Sequence, residues 1–223
     1  MRNPWLDIAL ADYEGHMGLP EVAQAGLLAD VFGVLLADHA PRSVAVLGCA
    51  GGNGFDRISP AVTERVVGVD INPTFIDATH NRFQGRFRVL ELVVGDLQAD
   101  DLAIEPIDCV YAGLVFEYLD LHAAWRRIRS LLRPAGVVGT VVQLPTYGLD
   151  AVTPSAYSSV QLLAPSMRLV SPEDLRDSVR GHGAEELRSY SVVSRAGKQF
   201  RVQVFRSDAM TDATEIAAQR RND

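Results

Sequence analysis

At 223 residues with 48% apolar content, the chain is long enough to bury one sizeable core, and a single domain with attached segments is expected. Its 21 basic against 28 acidic residues give a formal net charge of −7, which excludes a broad cationic surface for phosphate backbones and argues against nucleic acid as a partner. Cys49 and Cys109 lie in apolar stretches and supply neither a disulfide framework nor a zinc pattern.

The N-terminal stretch MRNPWLDIALADYEG is interrupted by Pro4, Asp7, Asp12 and Glu14. It therefore has neither a secretory leader pattern nor a membrane span, and a soluble, cytoplasmic protein is expected. From Leu19 to His39 apolar residues recur at helical spacing (Val22, Leu27, Leu28, Val31, Phe32, Leu35, Leu36), and Pro20 suits a first turn, so one long amphipathic helix is predicted. Ser43 to Leu47 reads as a buried parallel strand entering the glycine-rich run GCAGGNG at Gly48 to Gly54. Ser59 to Glu64 leaves room for no more than a modest helix, with Pro60 at its first turn. A second strand runs from Arg65 to Val69 and ends at Asp70, and a helix follows from Pro73 to Phe83.

Arg88 to Val94 gives a third strand ending at Gly95 and Asp96, and Ile107 to Ala112 a fourth ending at Gly113. A helix over Leu119 to Leu132 is broken by Pro134 and Gly136, and Val137 to Leu144 forms a fifth strand. Strand and helix alternate five times, the pattern of a parallel doubly wound sheet. Ser171 caps a helix that should end near Gly181 or Gly183. Ser189 to Ser194 and Gln199 to Arg206, joined by Arg195 to Lys198, read as an antiparallel hairpin. The expected fold is thus α/β and Rossmann-like: a doubly wound seven-stranded sheet, mostly parallel, with a C-terminal antiparallel hairpin. Residues 1–40 form an N-terminal helical cap, residues 41–207 the main domain, and residues 208–223 a polar tail that is frayed or disordered.

A strand that ends in glycines before a helix lets backbone N–H groups approach a ligand, because no side chain blocks them. Gly48, Gly51, Gly52 and Gly54 supply that surface, and Asp70, at the end of the next strand, stands where a carboxylate accepts both ribose hydroxyls in nucleotide-binding βαβ units. These two features alone also suit a nicotinamide-dependent oxidoreductase.

The segments VLGCAGGNGFD, VVGVDIN, VVGDL, IDCVYAGLVFEYL and LLRPAGVVGTVVQ resemble, in order, the successive motifs of class I S-adenosylmethionine-dependent methyltransferases. The resemblance covers about residues 40 to 145, and the C-terminal helix and hairpin agree with it. It implies an enzyme that binds S-adenosylmethionine, releases S-adenosylhomocysteine and methylates O, N or C of a small molecule. By the same resemblance Gly48, Ala50 and Gly52 line the methionine portion, with Cys49 between them. Asp70 binds the ribose, Ile71 packs on the purine face, Asp96 and Leu97 frame the adenine, and Gly113 lies at the fourth strand's end of the site. Val46 stands where the family carries an acid and Ala50 where it carries a glycine, which leaves Asp56 as a substitute partner for the cofactor's ammonium. A non-catalytic or repurposed binder of the same cofactor is a second alternative.

For the reacting centre, Glu117 and Tyr118 follow the fourth strand, where substrate and sulfonium usually meet in this family. Tyr13 and His16 belong to an N-terminal segment that can lie over the pocket as a lid and position an acceptor or take its proton. Residues 146–170, rich in Pro and Ser but carrying Tyr147, Tyr157, Leu162, Leu163 and Met167, read as a substrate-covering insertion. No clustered acidic ligands stand at the strand ends, so no metal is expected. The acceptor and the oligomeric state are not legible.

Overall fold

Seven strands form one sheet in the computed structural model, which describes residues 3–99 and 102–208. In chain order they are β1 (Ser43–Leu47), β2 (Arg65–Asp70), β3 (Val89–Val94), β4 (Ile107–Gly113), β5 (Leu132–Gln143), β6 (Ala184–Val193) and β7 (Gln199–Ser207). Their spatial order is β3-β2-β1-β4-β5-β7-β6. The first five are parallel, and β7 runs antiparallel to both β5 and β6. Chain direction reverses its walk across the sheet between β1 and β4, which is where open α/β sheets bind their ligands.

Every residue of β1 is buried, as a central strand covered on both faces requires. Its alternate side chains serve two cores. Val44 and Val46 pack with Phe32 and Leu35 of α2 (Ala25–His39), while Ala45 and Leu47 join Trp125 and Ile128 of α4 (Leu121–Leu131) and Leu175 of α5 (Pro172–Gly181). On the α2 side, Phe32 stacks on Tyr111 with ring centroids 4.7 Å apart, and the Tyr111 hydroxyl donates to the Leu28 carbonyl at 2.9 Å. The remaining helices are α1 (Leu10–Gly18) and α3 (Pro73–Phe83). Capping follows the sequence: Asn72 before Pro73, Asp120 before α4 and Ser171 before Pro172 each accept a first-turn N–H with the side chain.

The helix predicted over Leu19 to His39 begins only at Ala25 in the structure, after a turn that separates α2 from α1. The Leu19 N–H bonds to the His16 carbonyl, Ala23 takes a left-handed φ of 49°, and the Gln24 N–H returns to the Met17 carbonyl. Pro20 therefore sits in the turn that closes α1, and Val22 is buried by this turn rather than by a helical stripe. Ser59 to Glu64 holds only a turn, anchored by the Thr63 hydroxyl on the Pro41 carbonyl at 2.8 Å. β5 starts at Leu132, because Pro134 and Gly136 are absorbed where the register against β4 shifts between Ile107 and Cys109. β6 begins five residues earlier than the alternating pattern suggests, directly after Gly183 turns the chain at φ 68°. Of the polar tail, residues 209–223 lie outside the described residues.

The segment from β5 to α5 crosses the sheet's C-terminal edge and rests on α1. Its 3-10 turn (Ser158–Leu163) buries Val160 and Leu163 against Ile8, Ala50 and Phe75. Gly15 of α1 lies so close to Tyr157 that a Cβ there would sit 2.4 Å from the ring, so this contact depends on the missing side chain. Among the described residues, no helix is long and apolar enough to cross a membrane.

Candidate active site

The glycine loop after β1 is held from below. Gly48 and Cys49 donate their N–H groups to the Val69 carbonyl at 2.9 and 3.0 Å, and the Thr79 hydroxyl donates to the Ala50 carbonyl at 2.8 Å. Gly48, Gly52 and Gly54 have φ of 66°, 85° and 81°, which glycine adopts without penalty. Ala50 also lies in the left-handed region, at 48°, and carries the strain that a glycine would not.

Asp70, at the end of β2, is pinned by the backbone on both oxygens: Oδ2 accepts from the Ala50 N–H at 2.8 Å and Oδ1 from the Asn72 N–H at 2.9 Å. Burial pushes its carboxyl up to about 6, opposed by those same backbone donors. A carboxylate offers about four lone-pair sites, so both oxygens keep acceptor capacity for a ligand.

Between these groups and the ends of β3 and β4 lies a partly open cavity. Seven of the nine residues expected to touch the cofactor line it: Gly48, Ala50, Asp70, Ile71, Asp96, Leu97 and Gly113. Tyr13 and Tyr118 line it as well. Cys49 and Gly52 do not. Cys49 is buried under the loop, and Gly52 faces α3, where a Cβ would meet the Phe83 ring at 2.5 Å. Asp56 lines a neighbouring hollow with Gly51, Gly52 and Arg82, which shares only Tyr13 and Ala50 with the cavity.

Glu117 and His16 do not line the cavity either. Glu117 is turned toward β5, where Oε1 accepts from the Gln143 N–H at 2.7 Å, and its carbonyl accepts from the Arg168 N–H at 2.9 Å. His16 faces the crossing segment, with Nδ1 2.9 Å from the Ser155 hydroxyl, and burial together with Lys198 lowers its pKa. Tyr13 and Tyr118 are buried deeply enough that their phenols are held well above the ordinary range, so at neutral pH both are O–H groups.

Burial holds the Glu117 carboxyl up to about 7, with the Gln143 N–H pulling the other way. An unfolded carboxyl here titrates near 4.5, so the cost of ionising the buried group is absent below that pH and complete above about 7. Glu117→Gln is therefore expected to gain stability relative to the wild type as the pH rises from 5 to 8, by up to about 3 kcal/mol in urea unfolding. A difference that stays constant over that range refutes the assignment.

Two wall residues of the N-terminal segment, and the asparagine that holds that segment down, went unnoticed in the sequence. Asn3 and Trp5 line the cavity from the N-terminal segment. Asn72 holds that segment down, donating from Nδ2 to the Trp5 carbonyl at 2.9 Å and the Ile8 carbonyl at 3.2 Å while its Oδ1 caps α3. Only the capping part of this role has a sequence signal, the Asn-Pro pair.

The family model described as "Methyltransferase domain" matches residues 45–139, the span from β1 through β5 that builds the loop, Asp70, Asp96 and Gly113. Over residues 45–139 the chain is similar to a methyltransferase domain. The family's methyl donor is S-adenosylmethionine, and the match sets this domain apart from the nicotinamide oxidoreductases that a glycine loop and Asp70 alone would allow. No curated protein matches the chain in sequence. Among solved structures, the N-methyltransferase NodS from Bradyrhizobium japonicum WM9, in complex with S-adenosyl-L-homocysteine, is 16% identical. It covers 92% of this chain and 99% of its own, with a TM-score of 0.66. Magnesium protoporphyrin IX methyltransferase (ChlM) from Synechocystis PCC 6803, with bound SAH, is 18% identical over 84% of each chain, with a TM-score of 0.63. The cyclase SpnF is 14% identical over 81% of this chain and 82% of its own, with a TM-score of 0.62. At these identities the likeness is one of fold, and the methyltransferase domain shares it with a cyclase.

Proposed function

We propose that this protein transfers the methyl group of S-adenosylmethionine to a small-molecule acceptor. The observation that carries the reading is the single cavity in which the glycine turn, Asp70 and the Asp96-Leu97 pair meet at the point where the strand order reverses. The residues present fit the cofactor: a carboxylate for the ribose hydroxyls, a carboxylate and an N–H for the adenine edge, and Ile71 and Leu97 for its apolar faces. When bound, the cofactor supplies an electrophilic methyl group on a sulfonium.

This chain's residues supply the rest. Gly48 and Ala50 bring backbone to the amino-acid end, Asp70 accepts from the ribose, and Asp96 with Leu97 holds the adenine. Gly113 keeps the end of β4 open beside the loop. Cys49 and Gly52 act beneath the loop, as packing that sets its shape. Tyr13 and Tyr118, which face the cavity as neutral hydroxyls, align the acceptor by hydrogen bonding. Glu117 acts as a positioning residue that ties the turn carrying Tyr118 to β5, and His16 as one that ties α1 to the crossing segment. Residues 1–40 serve as a lid, and residues 146–170, seated on α1, cover the acceptor and exclude water. The concave, partly apolar cavity and the net charge of −7 favour a small molecule over a nucleic acid, in a cytoplasmic setting.

Calorimetry with S-adenosylmethionine tests the cofactor half of the proposal. Asp70→Ala is expected to weaken binding by about 1 to 3 kcal/mol, roughly 5- to 150-fold, the effect of losing a charge-assisted hydrogen bond. An unchanged dissociation constant removes Asp70 from the site. Release of S-adenosylhomocysteine upon incubation with pooled amines, phenols and carbon acids tests the catalytic half.

A further inference from the structure

Buried polar side chains fasten the segment that crosses from β5 to α5, and they reach it from three elements. The Ala151 carbonyl accepts from Nζ of Lys198 at 2.8 Å and from Nε2 of Gln143 at 3.1 Å, and four residues on the Ser155 hydroxyl lies 2.9 Å from Nδ1 of His16. Lys198 comes from the turn between β6 and β7, Gln143 from the end of β5 and His16 from α1, and all three are buried. Further along α1 the seam continues through Ser159 on Asp12 and Tyr157 against Gly15. A lysine is seldom buried without a carboxylate beside it. Among the described residues the Lys198 ammonium makes this one hydrogen bond, and the anion that acts on it is Asp150 of the crossing segment itself. The charges that face His16 are Lys198 from the hairpin and Glu21 from the turn after α1. Burial and Lys198 lower its pKa, and Glu21 opposes them. Protonating His16 in the closed fold therefore sets a second cation beside a buried one.

We propose that His16 and Lys198 form a charge-gated latch on the crossing segment, shut while His16 is neutral and released when His16 takes up a proton, so that the acceptor side of the site is uncovered as the pH falls. The inference rests on the reading of residues 146–170 as the acceptor's cover and adds what controls it. Lys198, which no motif singles out, is a positioning residue: it holds the Ala151 carbonyl and disfavours a charge on His16. In the closed state His16 titrates below its ordinary 6.5, whereas opening returns the ring to water and to that value. Opening is therefore coupled to proton uptake. It is independent of pH well above 6.5 and grows as the pH falls below it. The open-state value limits the gain to about tenfold in the opening equilibrium at one pH unit below 6.5. Asp70 and Glu117, whose folded carboxyls are raised to about 6 and about 7, favour the folded state as they gain protons and so act in the opposite direction.

Amide hydrogen exchange of the full chain without ligand, at about pH 7.5 and about pH 5.5 and corrected for intrinsic rates, reads the opening at residues 151–160. The wild type is expected to open up to about tenfold more at the lower pH. His16→Gln, which keeps a polar group for Ser155 and cannot be charged, should abolish the rise. Lys198→Met should raise exchange at the higher pH and flatten the profile, because the Ala151 anchor and the neighbouring charge are both gone. Glu117→Gln should keep the rise. In the wild type the His16 ring, followed by NMR, should titrate below 6.5. A flat wild-type profile, the same rise in His16→Gln, or a His16 ring that titrates at or above 6.5 overturns the latch and leaves the cofactor reading standing. Because no ligand is present, a failure of methyl transfer with the pooled acceptors overturns that reading and leaves the exchange result in force.

Discussion

Replacing Gly48 by valine is expected to abolish binding of S-adenosylmethionine while leaving the sheet folded. Gly48 ends β1 at φ 66° and lines the cavity, and a Cβ built there lies 2.8 Å from Cγ2 of Val115. A β-branched residue in the left-handed region costs about 1 to 2 kcal/mol in backbone strain alone. Val115 must also move, and because Val115 is itself a wall of the cavity, its displacement changes the shape of the space beside the loop. Both effects act on the ligand, whereas the two cores lie below the loop and keep their contacts. No heat of binding should be detectable at millimolar ligand, and the melting temperature should fall by only several degrees. Gly52→Val makes the contrasting case. Its φ is 85°, and its Cβ would press on the ring of Phe83 and on Thr79, so stability and affinity should fall together through α3. A Gly48→Val protein that still binds normally would reduce the loop to a structural turn.

Strand ends were the most legible part of this sequence, because a continuous apolar run stopped by Gly or Asp has few other solutions in a parallel sheet. The run of Val44 to Leu47 into Gly48 and that of Val66 to Val69 into Asp70 place the loop and the carboxylate side by side, and the structure joins them through the Ala50 N–H. Side-chain direction in the short turns was not legible. Phe116-Glu117-Tyr118 is a 3-10 turn in which neighbours point apart, so Tyr118 reaches the cavity while Glu117 bonds to β5, and no periodicity distinguishes them beforehand. Cys49 and Gly52 show the same limit within the glycine loop, whose alternating φ signs send successive residues to different sides. The N-terminal segment was misread for another reason. Pro20 satisfies the rule for a helix start equally well when it follows a helix, and the contacts of Trp5 and Tyr13 are with residues far along the chain. Only the tertiary fold brings Trp5 to Asn72 and Tyr118.

Deleting residues 1–18 is expected to leave the sheet intact and to weaken cofactor binding by about 100-fold or more. All seven strands lie after Arg42, so among the described residues the deletion takes only Ile8, His16 and Met17 from the buried ones. The cavity, by contrast, loses Asn3, Trp5 and Tyr13 from its lining. Burying a large aromatic side chain is worth about 1.5 to 3 kcal/mol, so losing two from the ligand's surroundings accounts for a loss of that size. The segment's polar ties to the rest of the fold are made by side chains: Asn72 holds two of its carbonyls, His16 Nδ1 lies 2.9 Å from the Ser155 hydroxyl, the Ser159 hydroxyl donates to Asp12 at 2.5 Å, and Glu14 pairs with Arg82, with side chains 40% and 45% exposed. An ion pair that open contributes less than about 1 kcal/mol. A cover that lies outside the sheet and is tied to it by side chains can open as a unit, and covers of this kind are drawn from the less stable parts of a fold. Amide hydrogens of residues 5–24 should therefore exchange rapidly in the free protein and more slowly with S-adenosylhomocysteine bound, while those of β1 and β4 stay protected in both states. If that segment is equally protected with and without ligand, and the truncated chain binds as tightly as the whole one, then residues 1–18 are packing alone, and Trp5, Tyr13 and His16 have no part in the site.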